Sequence, residues 1–353
     1  MMWLTWRQAR TQTLVTAGLV AVFAILLLAT GPHLVTLYRD SSFAACHHNC
    51  GQDASNFLSQ LATTPPYHLI YLLGALLLVL LPAVIGLFWG APLIAREVES
   101  GSYRLAWNQT VTRERWLAVK LGVLGLTSMA LAGLLSLALG WWASPIDHAA
   151  DVGTSGGFQQ RFFPTLFGAR GVVPIGYAAF AFALGVLIGL LIKRTIPAMA
   201  VTLAVVVAVL IAMPLAIRPH LIAPVRDSTA LTAASIDGLT ISGSPGASPA
   251  SNHLVTVFAN TPDRPGAWIL SSQVTTASGS TNLGAVPAAC QPPDSAGPQA
   301  CNSALAQRHL KQVVTYQPAS RYWTFQWLEL GIFLTVGILL AWACFWLIRR
   351  RLS

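Results

Sequence analysis

Charge is what this sequence most conspicuously lacks. Only 9% of its 353 residues are charged and 54% are hydrophobic, whereas a soluble domain carries about 25% charged residues. Lysine occurs three times and glutamate four times. A soluble globular chain is excluded by this balance. Stretches of alternating apolar and polar residues are also missing, which excludes a transmembrane β-barrel. There is no G-x-x-x-x-G-K-[ST] stretch, so the chain has no P-loop with which to cradle ATP. No H-E-x-x-H, paired carboxylates or usable Ser-His-Asp set occurs either, and no catalytic residue is assigned.

What is present is a series of apolar runs, each near the roughly 20 residues that cross a bilayer as a helix. Lipid offers backbone groups no hydrogen-bond partner, so these runs must be helical. They fall at about 14–30, 67–91, 116–142, 171–192, 195–217 and 324–348. The sequence therefore predicts an all-α polytopic membrane protein with six transmembrane helices, both termini cytoplasmic, and an external segment between helices five and six. Three regions follow: 1–217 with helices one to five, the external segment 218–323, and 324–353 with helix six and a basic tail. The first run, preceded by Trp3, Trp6, Arg7 and Arg10, reads as a retained signal anchor in a multi-pass protein of the plasma membrane.

The net charge of +9 invites a nucleic-acid reading, but its placement points elsewhere. The excess lies in short loops and tails on one side: Arg7, Arg10, Arg96, Arg104, Arg113, Arg115, Lys120, Lys193, Arg194 and Arg349 to Arg351. That is the positive-inside bias, which orients a membrane protein and requires no polyanion. Membrane lipid is the implied partner and nucleic acid is not.

One polar stretch, 92–120, lies between runs two and three and holds three of the four glutamates. Arg96, Glu97 and Glu99 continue the second helix beyond the membrane. Gly101 suits a helix C-cap, where a positive φ ends the helix. Arg104, Leu105, Ala106 and Trp107 make a short amphipathic element. Thr110 or Thr112 can cap the next helix, and Glu114 suits its positive end. A short element held between two rigid spans acts as a lever on them.

This stretch resembles the cytoplasmic coupling region of ABC transporter permeases of the type-2 exporter class, in residues Arg96, Glu97, Glu99, Gly101 and Ser102 and then Thr112, Arg113 and Trp116. The segment Tyr316 to Trp323 is similar to actinobacterial members. The resemblance implies a permease that forms the translocation path as a homodimer or heterodimer, with separate ATP-binding subunits docking on 92–120. By that implication Arg96, Glu97, Glu99, Gly101, Ser102, Arg104, Trp107, Thr112 and Arg113 couple the ATPase within the loop 92–115. ATP would be bound by the partner subunit and the chain itself would hold no cofactor. The rival reading is a sensory or scaffold membrane protein that binds a ligand through its external segment.

Smaller features complete the reading. Cys46-His47-His48-Asn49-Cys50 has metal-ligand chemistry, but external cysteines more often pair. Cys46 and Cys50 can bond to each other or to Cys290 and Cys301, which form the expected local disulfide, and no metal is assigned. Glu329 is the acidic residue inside an apolar run, where a carboxylate costs about 2.5–3.5 kcal/mol at the helix centre. It is read as a translocation-path or gating residue, or as an interfacial carboxylate reaching water, with Arg321 as a neighbour. Gly86-x-x-x-Gly90 and Gly185-x-x-x-Gly189 permit close helix approach, within the subunit by preference. Apolar patches at 254–258 and 267–270 suggest short strands in a small, partly irregular external segment.

Overall fold

The computed structural model describes residues 2–99, 112–153, 157–242, 253–259, 264–290 and 297–351. The chain divides into two compact units, Met1–Leu221 with Ser320–Ser353, and Ile222–Ala319.

The first unit is a helical bundle. Among the described residues, six helices are long and apolar enough to cross a membrane: Val20–Asp40, Tyr67–Glu97, Glu114–Val152, Val173–Ile192, Thr195–Leu221 and Ala319–Arg350. They are called the first to sixth spans below. The helices overrun the apolar runs from which they were predicted. The first extends from Met2 to Asp40 through Pro32, and the third from Arg113 to Val152 through Pro145. A further helix, Gly51–Thr63, lies between the first two spans and buries Phe57, Leu58 and Leu61.

The fourth span is the centre of the bundle, buried from Val173 to Leu190. Its small residues explain the position. A Cβ built on Gly185 would lie 2.5 Å from the Gly86 carbonyl oxygen, and one on Gly189 would lie 2.6 Å from that of Ala91. One built on Gly90 would meet the Phe182 carbonyl oxygen at 2.7 Å. Both G-x-x-x-G pairs thus join spans two and four of the same chain, backbone to backbone. Around this centre, large apolar side chains such as Leu72, Leu76, Leu134, Leu137, Leu215 and Trp342 are exposed on the other spans, as lipid-facing surfaces require.

Two spans contain π-helical turns next to a proline. Ile85–Gly90 follows Pro82 in the second span, and Met213–Ile217 contains Pro214 in the fifth. A proline lacks the N–H that the i−4 carbonyl would accept, and a π-turn takes up the extra residue. Each inserted residue turns the following side chains by about 100° around the axis. After the second π-turn, Arg218 is buried although Leu215 and Ile217 just before it are exposed.

The second unit is a small β-rich body. Strands β1 (Val225–Ala230), β5 (Lys311–Gln317) and β4 (Trp268–Thr275) form an antiparallel sheet in the order β1-β5-β4. Strands β2 (Ile236–Ser242) and β3 (His253–Ala259) form a separate antiparallel pair. Leu231, Ile236, Val257, Val274, Leu305 and Leu310 are among its core residues. The apolar patches at 254–258 and 267–270 lie in and against β3 and β4. Strands β1, β2 and β5 carry no such patch, and Val225–Ala230 is mostly polar and exposed, so their strand character comes from pairing. Arg264 forms an ion pair with Asp227 and lies 4.0 Å from the ring centre of Tyr316.

Candidate functional site

The two ends of the stretch 92–120 can be followed up to Glu99 and from Thr112. Gly101, Ser102, Arg104 and Trp107 lie outside the described residues. Ala91–Glu99 continues the second span as a helix. Thr112 is the N-cap of the third, its hydroxyl accepting from the Arg115 backbone N–H at 3.4 Å. Arg113 is the first residue of that helix. Arg96 is exposed.

Each glutamate in this stretch is bonded to a different part of the bundle. Glu97 accepts from Lys120 of the third span, a buried ammonium that also lies 4.4 Å from the centre of the Trp116 ring. Glu99 accepts from both the backbone N–H and the hydroxyl of Thr195, at 3.0 and 2.7 Å, at the start of the fifth span. These two bonds hold its carboxyl below the usual carboxylate range. Glu114 accepts two bonds from Arg349 near the end of the sixth span, at 2.7 and 3.0 Å. Spans two, three, five and six are therefore tied together around the 92–120 stretch. Glu97 and Glu99 face other spans through these bonds; the sequence reading had not assigned them such partners.

The opposite end of the bundle holds a buried polar cluster. Glu329 is fully buried and does not reach water. Its partner is Arg218 at the end of the fifth span, not Arg321. The Arg218 Nε and Nη2 donate to the two carboxylate oxygens, Nη1 donates to the Pro164 carbonyl at 2.9 Å, and the guanidinium lies 4.2 Å from the centre of the Phe167 ring. The Tyr177 hydroxyl also approaches Glu329 at 3.5 Å. One turn earlier, the Gln326 side chain accepts from the backbone N–H groups of Val172 and Val173, at 2.9 and 3.1 Å, capping the start of the fourth span. Arg170 pairs with Asp147 at 3.3 Å, and Arg161 with Asp151 at 3.3 Å. Sequence reading missed Arg218, Arg170 and Gln326. The available signal was that Arg218 directly follows an apolar run, at the same end as the lone intramembrane carboxylate.

Cys46 is disulfide-bonded to Cys50, and Cys290 to Cys301. The fifth cysteine, Cys344, is free and buried in the sixth span.

Six spans, a bundle centred on the fourth, a polar stretch bonded to several spans at one end and a buried ion pair at the other define a multi-pass membrane protein. The chain belongs to the family described as ABC-2 membrane transporter related, whose model matches residues 17–218. That match takes in the first four spans, the stretch 92–120 and the fifth span as far as Arg218. Membrane components of this family are typically non-catalytic permeases, and the family implies an ATPase partner. No curated protein and no solved structure matches the chain.

Proposed function

We propose that the chain is the permease subunit of an ATP-binding-cassette exporter, forming the translocation path as a dimer and driven by separate ATPase subunits that dock on 92–120. The observation that carries the proposal is the set of three glutamate contacts. Force applied to residues between Glu99 and Thr112 reaches the third span through Glu97–Lys120 and the fifth through Glu99–Thr195. It reaches the sixth span through Glu114–Arg349. A loose solvated connector would need none of these bonds. On this reading the end with Arg96, Arg115, Lys193, Arg194 and Arg349 is cytoplasmic, by the positive-inside bias. The Ile222–Ala319 unit is then external, where its disulfide is stable.

The buried Arg218–Glu329 pair has a place in the same reading. A bidentate pair removed from water is a discrete latch between the fifth and sixth spans: it is either made or broken. Spans that rock against each other during a transport cycle need such two-state contacts, because packed cores do not deform continuously.

The test is co-purification of the tagged full chain from mild detergent, with ATPase activity measured on whatever accompanies it. The wild type is expected to bring a nucleotide-binding subunit. Glu99→Ala with Glu114→Ala is expected to retain that subunit and lose the coupling of its turnover to transport. A chain that purifies alone from a cell making such ATPases would overturn the proposal in favour of a sensory or scaffold role.

A further inference from the structure

An apolar groove of about 440 Å³ opens between the third, fourth and sixth spans. Its third-span wall runs from Ala118 through Gly122 and Gly125 to Met129, and its sixth-span wall from Leu334 to Phe345, with Phe182 of the fourth span also lining it. We infer that this groove seats one acyl chain of a resident anionic phospholipid, with the headgroup held at Arg115 and Arg349.

Three observations carry the inference. The first is length. From Ala118 to Met129, and from Leu334 to Phe345, a helix rises about 16 Å. The hydrocarbon core of a bilayer is about 30 Å thick. The groove is therefore one leaflet deep, the depth that one acyl chain occupies. The second is exposed positive charge at one end. Arg115 precedes Ala118 by three residues and Arg349 follows Phe345 by four, so each continues its groove-facing row one turn further. Arg115, Arg349 and Arg350 are exposed, and the Glu114–Arg349 pair draws the two helix ends together at that mouth. The excess of cation there suits a phosphate-bearing headgroup.

The third observation decides between a lipid and a second copy of the chain. Small residues such as Gly122 and Gly125 would also allow a helix to approach closely. A two-fold contact centred on this groove, however, would place the same patch of both copies together. The basic mouths would then face each other, with like charges opposed. A lipid phosphate meets the same mouth with opposite charge.

The experiment uses the full chain, delipidated in detergent and titrated with phosphatidylglycerol or phosphatidylcholine of identical chains, with bound lipid counted by native mass spectrometry. A Cβ on Gly122 would meet nothing within 4 Å, so Gly122→Leu fills the groove without forcing the helices apart. That variant should lose about tenfold or more in affinity for both lipids, equivalent to roughly two buried methylenes. Arg115→Gln should keep phosphatidylcholine binding and lose the preference for phosphatidylglycerol. Arg115→Gln should unfold at the wild-type temperature and Gly122→Leu at or slightly above it, as the loss of a helix glycine favours, which separates loss of lipid from loss of fold. Unchanged lipid binding in Gly122→Leu would overturn the inference. Should that variant instead shift a monomer–dimer equilibrium while lipid binding stays the same, a second copy occupies the groove. Equal affinity of the wild type for the two lipids would refute the headgroup site.

Discussion

Arg218 and Glu329 stand 111 residues apart in the chain and form a bidentate ion pair with no exposed surface to speak of. The pair joins the last turn of the fifth span to the first turns of the sixth. The Arg218 Nη1 donates to the Pro164 carbonyl at 2.9 Å, so each of the three guanidinium nitrogens makes a hydrogen bond. Neither charge would be tolerated here alone.

The first prediction follows from that dependence. Glu329→Gln leaves a buried guanidinium without its counter-charge and should cost about 3–5 kcal/mol of stability, whereas replacing both partners by apolar residues of similar volume should restore much of it. The thermal unfolding midpoint in detergent of Glu329→Gln, Arg218→Met and the double variant Arg218→Met/Glu329→Leu would decide the matter. Double-variant loss equal to the sum of the single losses would mean that the two side chains do not act as a pair.

Glycine positions offer a second prediction, with opposite signs at two sites. Gly185→Ala forces a methyl against the Gly86 carbonyl oxygen and should destabilise by about 1–3 kcal/mol, because that contact is backbone to backbone and has no flexible side chain to yield. Gly140→Ala meets nothing within 4 Å and should stabilise the third span, by up to about 1 kcal/mol on helix propensity. Unfolding measured side by side would show the contrast. Equal effects at the two positions would contradict the close approach of spans two and four.

Glu99 predicts a pH dependence. Its folded-state carboxyl titrates below the usual range because Thr195 donates two bonds to the charged form. The stabilisation is therefore present above the ordinary glutamate value of about 4.3 and is lost as pH falls through the lower folded value. The stability gap between wild type and Glu99→Ala should be constant from pH 7 down to about 5 and should close in more acidic buffer. A gap that instead opens on acidification would mean that Thr195 does not favour the ionised form.

The disulfides make a fourth prediction. Closing the loop between Cys290 and Cys301 should stabilise by about 3 kcal/mol, and closing the shorter one between Cys46 and Cys50 by about 2 kcal/mol, on loop-closure entropy. Peptide mapping without reductant should recover both pairs and no cross-links between them. Cys290→Ser/Cys301→Ser should lower the unfolding midpoint of the Ile222–Ala319 unit more than Cys46→Ser/Cys50→Ser lowers that of the bundle. The unit has a small core that includes both of its half-cystines, so it has less burial to fall back on.

The sequence by itself determined the number of spans and the polar stretch between the second and third. Hydropathy is a sum over neighbouring residues, and lipid forces a run such as 195–217 to satisfy its backbone hydrogen bonds within itself. That Gly86, Gly90, Gly185 and Gly189 permit close helix approach was legible for a similar reason, since only a residue without a side chain allows it; that the second and fourth spans meet there was not. The partners of the charges were decided by tertiary structure alone. Arg218 faces inward to Glu329 after a π-turn that no local pattern announces, and Glu99 finds Thr195 because two helix ends happen to meet. The three-stranded sheet belongs to the same class, since β1 gains its strand character from β5, across 80 or more residues, and β5 from β1 and β4 on either side. Local composition fixes which segments enter the membrane, but the rotation of each helix and the register of each strand depend on every neighbour at once.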